Sequence, residues 1–182
     1  AWLLVQRGQC REGIAECETG LDFAARLGDE GLQAALHNVL GVAHLHLGIY
    51  DASKQYLERA LEVYERLDDV HGLGNALNNL AALYGYTGHH RKALEEQNRV
   101  LALRERTGDR WGVVLALGNL GVISHEMGDN DEAMEYFRKS LALREEIGMT
   151  HGIPNILLNI GNIQLARGHV AGAIPLEVGV GD

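Results

Sequence analysis

The sequence predicts an all-α fold in which antiparallel helix pairs stack into a solenoid, and three observations predict it. The chain repeats itself every forty residues. Inside each period, apolar residues recur three and four positions apart, the spacing that gathers them on one face of an α-helix. Glycine stands where one helix must end and the next begin, because its left-handed backbone conformation closes a helix without steric cost.

The period shows in four registers. Gly8, Gly48, Gly88, Gly128 and Gly168 form the first. Leu40, Leu80, Leu120 and Ile160 form the second, each followed by a small residue: Gly41, Ala81, Gly121 and Gly161. Asn79, Asn119 and Asn159 form a third, and Gly13, Ser53, Ala93, Ala133 and Ala173 a fourth. Residues 68–107 align with 108–147 without a gap, at 14 identities in 40. Such self-similarity marks a repeat array.

The whole chain, 1–182, reads as a single solenoid. Residues 1–28 form a partial repeat, in which 1–7 match only the tail of a first helix. Repeats follow at about 29–68, 69–108 and 109–148, with a partial final one at 149–182. In the repeat at 109–148 the first helix spans about 110–127, on Val113, Val114, Leu117, Leu120, Gly121 and Ser124. It stops at Met127-Gly128-Asp129. The second helix spans about 130–147, on Ala133, Met134, Phe137, Leu141 and Leu143, capped by Asp129 or Asn130. Glu62 with Arg66, Glu95 with Arg99, and Glu135 with Lys139 are spaced as i,i+4 pairs on a solvated face. Small residues are expected where paired helices cross closely, Gly121 against Ala133 and Ala81 against Ala93. A glycine inside a helix costs about 1 kcal/mol relative to alanine, so packing must demand it. After Ala173 the run Ile174-Pro175-Leu176-Glu177-Val178-Gly179 abandons the second-helix pattern. The chain reads as a fragment of something longer, with uncapped ends through which copies could associate into a homo-oligomer.

Composition excludes several classes of function. Apolar residues make up 46% of the chain, ample for a packed core. A net charge of −9 opposes nucleic-acid contact by this segment, which would need a basic face. No stretch nears the ~18 apolar residues of a membrane span, and no basic-then-apolar leader opens the chain. Cys10 and Cys17 on one helix would have Cα atoms about 10.5 Å apart at ~1.5 Å rise per residue. A disulfide tolerates about 7 Å. Two unpaired thiols fit a reducing, cytoplasmic location.

Leu40-Gly41, Gly48, Tyr50 and Ser53, and again Leu120-Gly121, Gly128 and Ala133, resemble the tetratricopeptide repeat. That family places Leu-Gly in the first helix, Gly at the turn, an aromatic two residues on and Ala five after the Gly. The resemblance runs from about residue 1 to 174. His37, Leu77, Leu117 and Leu157 stand where the family usually has Trp, and Glu65, Glu105 and Glu145 where it has Pro. The period is forty residues instead of thirty-four, with an added linker at Gly108-Asp109 to Gly112 and Asp68-Asp69 to Gly72. HEAT and armadillo repeats share the length, but the fixed small-residue registers favour the tetratricopeptide type. The resemblance implies a right-handed superhelix whose first helices line a concave groove.

Carried onto this sequence, the family's groove positions are Asn38 and His46, then Asn75, Asn78, Asn79 and Tyr86, then Asn119, His125 and Glu126, and finally Asn155, Asn159 and Asn162. Asparagine is a poor mid-helix residue because its side chain competes for backbone hydrogen bonds. Its recurrence has two readings. A ladder of amides could grip the backbone of an extended peptide, since each amide both donates and accepts. Alternatively Asn79, Asn119 and Asn159 bond to the neighbouring repeat and set its orientation.

The histidines do not assemble a metal site. His44 and His46 are two apart on a helix, His89 and His90 sit in a turn, and His125-Glu126 lacks a second His where a zinc-protease helix requires one, because Asp129 stands there. No cofactor and no catalytic residue is expected, so the chain reads as a protein- or peptide-binding scaffold and not an enzyme. The runs at 59–66 and 101–106 are similar in style to repeats of bacterial SARP and nucleotide-switch transcriptional regulators, which implies the partner-binding part of a larger regulator. The forty-residue period also resembles Pins/LGN-type polarity adaptors, which implies peptide docking in signalling.

Overall fold

The computed structural model describes residues 1–168, and the predicted change of pattern beyond Ala173 lies outside them. Among the described residues are nine α-helices and no strand. They are α1 (Trp2–Gln6), α2 (Cys10–Leu27), α3 (Glu30–His46), α4 (Tyr50–Arg66), α5 (Val70–Tyr86), α6 (His90–Thr107), α7 (Arg110–Glu126), α8 (Asn130–Glu146) and α9 (Ile153–Ala166). The odd-numbered helices are the first helices of the repeats and the even-numbered ones the second.

Each helix stops for a reason written in the registers. Gly8, Gly48, Gly88, Gly128 and Gly168 all adopt positive φ, between 72° and 87°. A second turn register holds Gly28, Gly108 and Gly148 with positive φ, but Asp68 at its second place, with φ 53°. Asp29, Asp69 and Asp109 cap the first helices α3, α5 and α7, their carboxylates accepting from the backbone N–H of Leu32, Gly72 and Gly112. Asp129 is the N-cap of α8 without a side-chain bond. Asn130 makes none to the cap either, because its Oδ1 lies 2.7 Å from His125 Nδ1.

Each helix packs on the one before it, giving a right-handed superhelix of antiparallel pairs. The close approach falls on the small residues, but on different partners from those expected. A Cβ on Gly41 would stand 2.6 Å from Leu57 Cγ, and one on Gly121 would stand 2.5 Å from Phe137 Cε1. The glycine makes room for a large side chain one turn beyond the small residue of the second helix. That small residue does other work at Ser53, whose hydroxyl donates to the Gly41 carbonyl at 2.8 Å. Gly72 and Gly112 are likewise covered by Tyr64 and by Arg104, side chains from the preceding second helix.

The core falls into clusters along the array. Ala34, Leu57, Ala60, Leu61, Tyr64, Leu77, Leu80, Leu83, Val100 and Ala116 pack from α3 to α7, while Ala133, Met134 and Phe137 pack on Ile156, Ile160 and Ile163 of α9. Cys10 and Cys17 are both buried, free thiols on α2. Lys139 pairs with Glu135 at 2.6 Å as its spacing predicts. Arg66 and Arg99 do not take their i,i+4 partners: Arg66 reaches Glu30 on α3 at 2.5 Å, and Arg99 reaches Glu96 at 2.7 Å and Glu65 on α4 at 3.1 Å. For Arg66 the preceding first helix supplies the carboxylate, and Arg99 bridges one carboxylate on its own helix and one on α4.

Candidate functional site

The first helices carry a run of amides on one face. Along each helix, positions three, four and seven apart share a face, so Asn75, Asn78, Asn79 and Tyr86 of α5 lie together, as do Leu115, Asn119, Val122 and Glu126 of α7. Two adjoining cavities open on this face. The larger, about 640 Å³, is lined by Asn38 and Val39 of α3, Asn75, Asn78 and Asn79 of α5, Leu115 and Asn119 of α7, and the second-helix residues Tyr64, Gln97 and Arg104. The smaller, about 490 Å³, lies between α5 and α7 and is lined by Ala81, Ala82, Gly85 and Tyr86 on one wall and Val122, Ile123 and Glu126 on the other. Asn78, Asn119 and Gln97 line both.

The amides are bonded to one another across repeats. Asn79 Nδ2 donates to Asn38 Oδ1 at 2.9 Å, and Asn119 Nδ2 donates to Asn78 Oδ1 at 3.0 Å. Both pairs join residues 41 apart, one repeat plus one residue. The third rung is missing, because Gly118 stands where Asn38 and Asn78 stand in the preceding repeats and gives Asn159 no amide to meet. Each pair spends one N–H and one lone pair. A carboxamide has two N–H donors and an oxygen with two lone pairs, so both members keep capacity for a further partner. The pairs therefore orient the repeats and at the same time hold the amides in fixed directions.

Charge enters at the two ends of the groove. Arg104 donates to Asp109 Oδ2 and to Asn75 Oδ1, each at 3.1 Å, so its guanidinium is held over the larger cavity by a carboxylate and an amide. In the smaller cavity the charged lining residue is Glu126, exposed, with His90 Nδ1 at 3.2 Å from its Oε2, outside hydrogen-bond geometry. Tyr64 stays a neutral phenol, since burial first and the Asp69 carboxylate second push its pKa above the usual tyrosine range.

Of the residues expected in the groove, Asn38, Asn75, Asn78, Asn79, Tyr86, Asn119 and Glu126 come together in these two cavities. His46 lies exposed at the end of α3. His125 turns toward Asn130 at the start of α8. Asn155, Asn159 and Asn162 lie on α9, outside both cavities, with Asn155 and Asn162 exposed and Asn159 half-buried. Gln97 and Arg104 are the residues that the sequence reading missed. A signal for Gln97 existed: Cys17, Leu57 and Phe137 occupy its register, and all three are fully buried.

Residues 31–106 match a tetratricopeptide repeat family model and residues 113–147 a second one, together more than half of the chain. The chain belongs to the tetratricopeptide repeat family. Among curated proteins no sequence relative matches it. Solved structures share the fold: BtubC (BKLC) from P. vanneervenii has 21% identity and a TM-score of 0.80, over 92% of this chain and 70% of that one. A Rap protein complexed with competence and sporulation factor has 18% identity and a TM-score of 0.76, over 91% of this chain and 46% of that one. A putative kinesin light chain from Podospora anserina, with nearly identical repeats of this type, has 18% identity and a TM-score of 0.74, over 92% and 83%. The tetratricopeptide array here thus spans less than half the length of the Rap chain. Tetratricopeptide repeats form protein-binding scaffolds, and this chain is one.

Proposed function

We propose that the asparagine-lined groove of α3, α5 and α7 holds an extended peptide segment of a partner protein, and that the module is the partner-binding part of a larger bacterial transcriptional regulator. The observation that carries the first statement is the Asn78–Asn119 pair, which lies at the junction of two cavities with unspent donors and acceptors facing both. An extended backbone presents an N–H and a C=O at every residue, and fixed amides match them whatever the peptide's side chains. Leu115 and Val122, both exposed on the same face, add apolar area. A net hydrogen bond contributes ~1 kcal/mol, so four or five of them with some apolar burial support roughly micromolar affinity.

A pull-down from a peptide library tests this reading. Asn119→Ala is expected to weaken capture about tenfold while circular dichroism shows unchanged helical content. Undiminished capture by that mutant, or its unfolding, would count against the amide ladder. The second statement is supported by the local style of residues 59–66 and 101–106 alone. The complete gene tests it: a winged-helix or P-loop segment upstream is the expected finding, and neither being present would remove it.

A further inference from the structure

Among the described residues Gln97 is the one polar member of its register, and its chemistry is left incomplete by the fold. Its side chain is 1% exposed, and its Nε2 has no hydrogen-bond partner among the described residues. A buried donor without a partner costs ~1–3 kcal/mol, and native structures keep such groups rarely and for a reason. Leu57 and Phe137, at the same place in the neighbouring repeats, fill the space above Gly41 and Gly121. Here Ala81 replaces the glycine and an unbranched Gln replaces the bulky apolar residue, and both line the smaller cavity.

α5 and α7 approach each other less closely than α3 and α5 do. Between them lies the smaller cavity, with Ala81, Ala82 and Gly85 keeping one wall low and Gln97 lining it from α6. The Asn78–Asn119 bond crosses between the two helices. A side chain can pass beside it.

We propose that this slot receives an asparagine or glutamine side chain of the bound peptide, its carbonyl oxygen accepting from Gln97 Nε2. The donor-only Nε2 demands an acceptor, which excludes an aliphatic or cationic side chain. Glu126 at the rim disfavours a carboxylate and can instead accept from the carboxamide's NH2. The proposal rests on the groove's being a peptide site, and it adds a sequence preference to that reading.

The test is selection from a displayed random dodecapeptide library by the 182-residue chain and its variants. The wild type is expected to enrich Asn or Gln at one position. Gln97→Met keeps the length and lack of branching but removes the donor; it is expected to replace that preference by an apolar one and to weaken the wild-type amide peptide about tenfold. Ala82→Leu fills the slot from an exposed position without touching Gln97, and it is expected to abolish the preference as well, which covers the case of a misfolded Gln97 variant. Amide enrichment that survives both changes, or enrichment of carboxylate or hydroxyl residues instead, overturns the proposal. If the wild type enriches peptides, Asn119→Ala abolishes capture and Gln97→Met leaves the profile as it was, the groove stands and Gln97 is met by water alone. If the wild type enriches no peptide, the groove reading falls first and this one with it.

Discussion

Among the described residues Gln97 and His37 both occupy registers that are otherwise apolar, with Cys17, Leu57 and Phe137 matching the first and Leu77, Leu117 and Leu157 the second. Replacing Gln97 by Met removes a buried donor with no partner. We expect the variant to gain about 1 kcal/mol, read as a melting temperature about 2–4 °C higher in a chain of this size. A drop would show that the amide is satisfied in the free protein. His37 stacks on Tyr56 at 5.9 Å between ring centroids. Burial first, and the Arg59 charge second, hold its pKa below the usual imidazole range. The folded state therefore favours neutral imidazole: the stability this gives is complete above the unfolded value of about 6.5 and is lost as pH falls through the lower folded value. His37→Leu is expected to reduce the fall in melting temperature between pH 7.5 and pH 5, and an unchanged slope would contradict this. Recurring residues such as Asn79 and Asn119 were legible in the sequence because they repeat. Gln97 carried a weaker signal, as an exception to its register, and an exception reads as noise until burial shows the amide has nothing to bond.

Helix ends and helix crossings carry the next set of expectations. Asp68 adopts φ 53° where the same turn elsewhere holds Gly28, Gly108 and Gly148. Left-handed backbone costs a non-glycine residue roughly 1 kcal/mol, so Asp68→Gly is expected to raise the unfolding midpoint in urea by about 0.5–1 kcal/mol of stability. A loss would mean the carboxylate contributes something local that the geometry does not show. Gly121→Ala drives a methyl against the Phe137 ring, and such overpacking costs about 1–3 kcal/mol. Gly85→Ala meets nothing within 4 Å and should gain a few tenths of a kcal/mol from helix propensity. Thermal melts of the two variants separate packing glycines from permissive ones. Element limits followed from the sequence to within a residue or so at α7 and α8, because turn glycines and apolar spacing act locally. The partners of Gly121, Arg66 and Arg99 did not, because those contacts depend on how neighbouring helices are rotated against each other, which spacing along one helix cannot fix.

As a whole the molecule is a chain of neighbour contacts. The core cluster from Ala34 to Ala116 ties α3 through α7 together, while α1, five residues long, joins the array through Val5. Native-state hydrogen exchange is expected to show the strongest protection in α5, α6 and α7 and the weakest among the described helices in α1; uniform protection would contradict a quasi-linear array. The superhelix itself was legible in the forty-residue period. The gap between α5 and α7 was not, because it comes from small differences in packing between repeats that are otherwise alike. The amide-bearing face of α3, α5 and α7 is proposed to hold an extended peptide. Side-chain amide resonances in a ¹⁵N NMR titration with a library-selected peptide test it most directly. The NH2 signals of Asn75, Asn78, Asn79 and Asn119 should shift together and saturate at roughly micromolar peptide, while Asn98 on α6 stays unmoved. Shifts confined to Asn98 and the outer helices, or none at all, would contradict the account.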